Sequence, residues 1–153
     1  MDISVFIDKG RFNYRVGAFI TCGDYVLLQK SENCEFWNML GGRAHIGESS
    51  KQALIREMKE ELGIEIDNMT LVHLAENFFP WEGIDVHEIL MVYKVELPEE
   101  YLTKLENFAV IDGHGEVAKW FKKSKVKDLY CLPKLIYDLA KNDNRFKHTI
   151  VEE

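Results

Sequence analysis

The stretch Gly42-Arg-Ala-His-Ile-Gly-Glu48, followed after seven residues by Arg56-Glu57-Met58-Lys59-Glu60-Glu61-Leu62-Gly63-Ile64, decides how this chain folds and what it can bind. Ser49 stands as an N-cap with Gln52 three residues on, a capping-box spacing, and Gly63 is suited to the left-handed position that closes a helix. Between them lie good helix formers and no proline, so a helix of three to four turns is predicted over 52–62. At about 100° per residue, Leu54, Ile55, Met58 and Leu62 share one arc, the face expected to be buried. With Glu57 at zero, Glu60 falls near roughly −60° and Glu61 near roughly +40°, so the three carboxylates form one cluster beside that apolar stripe.

Such a cluster breaks two local rules. Like charges at these spacings repel by roughly 0.2–0.5 kcal/mol per pair, and Glu60 and Glu61 stand in the last turn, where the helix dipole disfavours anions. A hard cation with oxygen ligands turns that repulsion into binding, and Mg²⁺ is the natural candidate because it works with a few carboxylates, water and substrate phosphates. The alternative reading is a solvated acidic face. The EF-hand loop spacing is not present.

From Gly42 to Ile64 the chain resembles the Nudix box of the Nudix hydrolases, G-x5-E-x7-R-E-U-x-E-E-x-G-U with U apolar. All nine specified positions are met: Gly42, Glu48, Arg56, Glu57, Met58, Glu60, Glu61, Gly63 and Ile64. The resemblance implies an α/β fold, a Nudix-type α/β/α sandwich with a mixed β-sheet. It also implies hydrolysis of a pyrophosphate bond in a nucleoside diphosphate linked to another moiety, such as a dNTP, a nucleotide sugar or ADP-ribose, with Mg²⁺ or Mn²⁺ as cofactor. Residue by residue, it makes Glu57 and Glu61 metal ligands, Glu60 a ligand or a base acting through water, and Gly41 the donor of a backbone carbonyl to the metal. Arg56 and Glu48 become the ion pair that fixes the helix to its loop. Many members have Leu-Pro-Gly-Gly before the box; this chain has Met39-Leu40-Gly41-Gly42, without the proline. Family members also draw a glutamate from a late loop, and Glu116 stands in the matching region, with Asp112 and His114 as rivals. A catalytically silent nucleotide-binding or regulatory module is the second functional class, for which broken carboxylates are expected; all are intact here.

Substrate recognition lies outside the box. Phe78, Phe79 and Trp81 surround a turn where a base can stack, and Arg15 and Arg43 can meet phosphates. The histidines show no metal-ligand spacing. Cys22, Cys34 and Cys131 lack the CxxC pattern and are odd in number, which suggests neither a zinc knuckle nor a complete disulfide framework.

A chain of 153 residues with 46% apolar residues suits one domain, 1–153, with one good core. Its net charge of −7 argues against a general nucleic-acid surface, which would be basic. No segment approaches the roughly 20 apolar residues that span a membrane, and acidic Asp2 and Asp8 do not suit a signal peptide. The expectation is a cytoplasmic protein, monomer or homodimer, whose partner is a small nucleotide.

Alternation at Phe12, Tyr14, Val16, Ala18 and Ile20 predicts a strand that turns at Gly23-Asp24 into a second strand over 25–28. A short strand is expected over 36–40. Two longer ones are expected over 71–79 and 86–97, joined through Pro80-Trp81-Glu82-Gly83, with Ile89, Met91, Tyr93, Val95 and Leu97 on one face. A short helix after Pro98 reaching Phe108, a loop over 111–116, a strand over 118–121 and a helix from Pro133 to Lys141 complete the prediction.

Overall fold

The computed structural model describes residues 1–141 and 145–152. Its centre is the long strand β2 (Gly10–Cys22), and the rest of the sheet is organised by how that strand uses its two edges. One edge pairs in parallel with β6 (Ile84–Glu96), from Gly10 opposite Asp85 to Thr21 opposite Glu96. The other edge is shared in turn by β1 (Ser4–Ile7), β4 (Leu40–Arg43) and β3 (Tyr25–Lys30), all antiparallel. Beyond β6 lie β5 (Met69–Trp81) and then β9 (Lys147–Glu152); beyond β3 lie β8 (Val117–Lys122) and β7 (Phe108–Ala109). The sheet is therefore mixed.

Because β2 and β6 lie mid-sheet, both of their faces are covered, which is why these strands carry apolar residues in near-continuous runs. Val16, Ala18, Ile20, Tyr93 and Val95 face helix α1 (Ser50–Leu62), which buries Ala53, Leu54, Met58 and Leu62 against them. On the opposite face Phe19, Leu90 and Val92 meet Val126 of a 3-10 helix (Lys123–Asp128) and Leu135 and Ile136 of α3 (Leu135–Leu139). This is the expected α/β/α sandwich. No helix among the described residues is long and apolar enough to cross a membrane.

Local signals place α1 well. Ser49 Oγ accepts the Gln52 N–H at 3.1 Å, Gln52 Oε1 accepts the Ser49 N–H at 2.8 Å, and Gly63 closes the helix at φ +68. The hairpin at Gly23-Asp24 is also as expected, with Cys22 opposite Tyr25. Elsewhere tertiary contacts move the boundaries. The strand leading to the glycines begins at Leu40 rather than Phe36, and Pro80 and Trp81 belong to β5, with Glu82 and Gly83, both at positive φ, making the turn. Tyr93, Val95 and Leu97 join the α1 core and Met91 packs against it, while Ile89 lies outside it.

The helix after Pro98 is only α2 (Tyr101–Lys104), because Leu105 enters the core and Asn107 takes φ +55, incompatible with a right-handed helix. Pro133 follows a cis peptide and precedes α3 rather than opening it. Strands β1 and β9 are additions to the sequence reading. Both border water, and β9 alternates half-buried and exposed residues with little apolar patterning.

His73 of β5 is 1% exposed, with Nε2 2.9 Å from Thr149 Oγ1 of β9. Burial lowers its pKa, helped by Lys147 and His148 and opposed by Asp138. The unfolded chain, with an ordinary value near about 6.5, binds the proton first. This contribution to stability is then complete above that value and declines as pH falls toward the depressed folded value. Denaturant titrations of the parent and of His73→Gln at pH 7.5 and 5 should show the parent losing more stability on acidification. Equal losses would show that His73 titrates alike in both states.

Candidate active site

Helix α1 lies against the β4 glycines, and the absence of side chains there brings two carboxylates to the backbone. Glu57 occupies the space over Gly42, where an added Cβ would overlap its carboxylate. One turn on, Glu61 Oε1 accepts the Gly41 N–H at 3.0 Å. Gly41 itself holds φ +148, and a Cβ there would run into the Val16 carbonyl of β2.

Arg56 locks this arrangement. It donates through Nε to Glu48 Oε2 at 2.7 Å and through Nη2 to Glu48 Oε1 at 2.9 Å and to the Arg43 carbonyl at 3.0 Å. Nη1 donates to Glu57 Oε1 at 3.0 Å and to Glu60 Oε2 at 3.1 Å. Five hydrogen bonds thus match the five N–H groups of a guanidinium. Glu48 in turn accepts the His45 N–H at 2.8 Å, which ties the glycine loop to the helix. The Arg56 hydrogen bonds, against the opposing effect of burial, bring the Glu48 carboxyl down to about 2.

The ligand candidates behave in the opposite way. Burial raises the Glu57 pKa although Arg56 lowers it, and burial together with the nearby Glu57 charge pushes Glu61 up to about 8. Burial disfavours the charged form of both, and Glu57 shares the Arg56 guanidinium with Glu48 and Glu60, so a cation would add counter-charge here. The donors are all hard oxygens, as a Mg²⁺-type ion requires. No group of three or more His, Cys, Asp or Glu side chains among the described residues already encloses a metal position. The ion pairs give the reason: Arg56 draws Glu60, 46% exposed, and Glu57 toward itself. The carboxylates therefore suit a cation that completes its shell with water and phosphate oxygens.

The late loop docks on the same helix, since the Ile111 N–H donates to the Glu61 carbonyl at 2.8 Å. Glu116 is near enough to raise the Glu61 pKa, yet its own Oε2 accepts the His114 N–H, so its carboxylate closes its own loop. Asp112, at φ +57, and His114 are exposed.

Beside Gly41 opens a cleft of about 470 Å³, floored by β2, β5 and β6. Arg15, Phe79 and Trp81, singled out in the sequence, line it together. Arg15 also lowers the pKa of both Glu57 and Glu61, so it stands electrostatically between the cleft and the carboxylates. Phe78 is not brought there; it stacks on His87, ring centroids 4.4 Å apart, and lines a separate cavity. Arg43 is likewise outside the cleft, its Nη1 3.7 Å from Asp2.

Among the cleft residues that escaped the sequence reading are the aromatic and polar side chains of Phe36, Asn38, Asn77 and Glu88. Two carried a signal, because Asn77 and Glu88 are polar side chains inside apolar strands, and both are buried.

Comparison with known proteins follows the same lines. The family model described as the NUDIX domain matches residues 11–142. The chain is 36% identical over 99 residues to an 8-oxo-dGTP diphosphatase of Proteus vulgaris, covering 61% of this chain and 88% of the relative. It is 44% identical over 96 residues to a CTP pyrophosphohydrolase of Escherichia coli (strain K12), covering 52% and 71%. Among solved structures, a mutator MutT protein of Bacillus halodurans superimposes with TM-score 0.71 at 22% identity, covering 91% of this chain and 89% of the other, a likeness of fold.

Proposed function

The chain belongs to the Nudix family and is a hydrolase of pyrophosphate bonds, and from that premise we propose that residues 1–153 form a single domain cleaving nucleoside diphosphates linked to a further group, with Mg²⁺ or Mn²⁺ bound. The observation that carries this reading is the pair of half-buried carboxylates, Glu57 and Glu61, set on a glycine-lined strand beside the cleft.

Glu57 and Glu61 would hold the metal, with Glu60 and the Gly41 carbonyl as further oxygen donors. When bound, the ion supplies electrostatic stabilisation of charge on the phosphoryl oxygens. Everything else falls to the chain. Arg56, held by Glu48, prevents the helix from sliding against the glycine loop, which keeps Glu57 and Glu61 at fixed positions. Arg15, at the border between carboxylates and cleft, neutralises a phosphate of the incoming substrate. Phe79 and Trp81 offer aromatic faces to the base, while the placement of Phe78 and Arg43 leaves them outside this role.

Phosphoryl and nucleotidyl transfer need an in-line water whose proton is accepted as the P–O bond forms. Glu60 and Glu116 are the carboxylates suited to receive it. If Glu116 takes the proton, Glu116→Gln lowers kcat by about 10²-fold or more with KM near the parent value, while Asp112→Asn and His114→Ala are mild. A Glu116→Gln enzyme with parental kinetics, alongside an inactive Glu60→Gln, would place the base on α1.

The overall reading is tested by incubating the protein and Mg²⁺ with a panel that includes 8-oxo-dGTP, CTP, nucleotide sugars and ADP-ribose, and identifying products by mass. Cleavage of a P–O–P linkage supports the proposal. No turnover on any member of the panel would overturn the assignment of nucleotide substrates.

A further inference from the structure

Glu88 sits in mid-strand on β6, 7% exposed, on the floor of the cleft. A buried carboxylate is costly unless its lone pairs are satisfied, and those of Glu88 are poorly served. Asn77 Nδ2 donates to Oε1 at 3.4 Å, at the long limit of a hydrogen bond. Arg15 Nε stands 3.8 Å from Oε2, an ion pair too long for a hydrogen bond, from a side chain 39% exposed. Asn77 Oδ1 has no partner. The site thus concentrates acceptors where the walls, Phe36, Phe79 and Trp81, are aromatic and flat. Trp81 is 53% exposed, a large apolar surface at the rim that folding alone does not use.

We infer that Glu88 selects guanine: the base stacks against the aromatic walls and its N1–H and N2–H₂ donate side by side to the two carboxylate oxygens. This deepens the reading above, since it rests on the cleft being the binding site of the hydrolysed nucleotide. The choice follows from donor chemistry. A carboxylate has about four lone-pair sites on two oxygens and no donor, so it matches an edge with two adjacent N–H groups. Among the common bases only guanine has that edge; adenine sets one donor beside an acceptor, cytosine one donor beside two acceptors, and uracil and thymine place one N–H between two carbonyls. Those four would each set a carbonyl oxygen or ring nitrogen against a negative charge. A buried acceptor left unpaired makes such mismatches discriminating. The partial pairing with Arg15 and Asn77 holds the Glu88 carboxylate in place on the cleft floor, and the remaining lone pairs receive the base.

Inosine nucleotides isolate the contact, because inosine differs from guanosine only in lacking the 2-amino group. In the parent, kcat/KM for GTP should exceed that for ITP by about tenfold or more, with ATP and CTP lower still. In Glu88→Gln the GTP to ITP ratio should fall toward one. Binding without metal gives a separate readout: in EDTA, GMP should quench tryptophan fluorescence at lower concentration than IMP, AMP or CMP. GTP and ITP used alike by the parent, or CMP bound best, would overturn the inference whether or not Glu88→Gln folds. Preferential binding of GMP with no hydrolysis of any nucleotide would refute the proposed reaction and leave the base assignment standing. Hydrolysis without guanine preference would do the reverse.

Discussion

Glu57→Gln and Glu61→Gln should each lower kcat by about 10²-fold or more while leaving the fold intact. The substitution is isosteric and removes only the charge. At position 61 that charge is disfavoured by burial and by Glu57, and a glutamine Oε1 can still accept the Gly41 N–H, so melting temperature should stay level or rise. At position 57 a neutral side chain keeps a hydrogen bond to Arg56 and loses the ion-pair component. Stability and activity should therefore part company, as expected when residues serve binding at the expense of local repulsion. The metal provides a second readout. A ligand that binds only the folded protein stabilises it by mass action, about 2.7 kcal/mol at 100 times its Kd. Mg²⁺ should raise the parent's melting temperature and do so less for Glu61→Gln. Near-normal turnover by both variants at saturating Mg²⁺, or equal thermal shifts in parent and variant, would remove these residues from the metal site.

Alanine at the two adjacent glycines of β4 should give opposite results. At Gly41 the new Cβ meets the backbone carbonyl of Val16, and φ +148 is a conformation that side chains rarely adopt. Neither the β2 backbone nor the Gly17–Gly41 register can yield without breaking the pairing of β4. Gly41→Ala should therefore unfold β4 from the sheet and lower stability by several kcal/mol, the range of strained or overpacked sites. At Gly42 the obstacle is the carboxylate of Glu57, the far end of a flexible side chain. It can swing aside, so Gly42→Ala should keep its melting temperature within a few degrees. Activity should nonetheless fall by about 10²-fold, because a displacement near 1 Å in a catalytic group has that effect. Thermal melts and kcat on the two purified variants decide the matter. A stable, fully active Gly42→Ala would show that Glu57 need not lie over that glycine.

Much of the site was legible because its signals are local. The capping box Ser49–Gln52, the Gly63 terminus and the spacing of Glu57, Glu60 and Glu61 lie within a few residues of one another, where helix geometry alone fixes relative position. The Arg56–Glu48 pair carried over from the family pattern is present with both oxygens engaged. Alternation likewise announced the central strands over 12–20 and 89–97, while the cover on both faces of the sheet came with the family resemblance.

The cleft was not legible, for the opposite reason. It forms where β2 runs parallel to β6, so that Arg15 meets Glu88 and Asn77 comes within reach across β5, contacts between residues distant in the chain. Phe78 and Phe79 are neighbours of like chemistry, and nothing local tells them apart: Phe79 borders both cavities, whereas Phe78 packs on His87 and lines only the second. Strands β1 and β9 depend on the same long-range pairing, as β1 is exposed along most of its length and β9 carries little apolar patterning, and both find their places from the exposed edges of β2 and β5. A helix carries its hydrogen bonds within itself and can be read from its own residues, whereas a strand finds its partners, and a cleft its walls, only when the whole sheet has assembled.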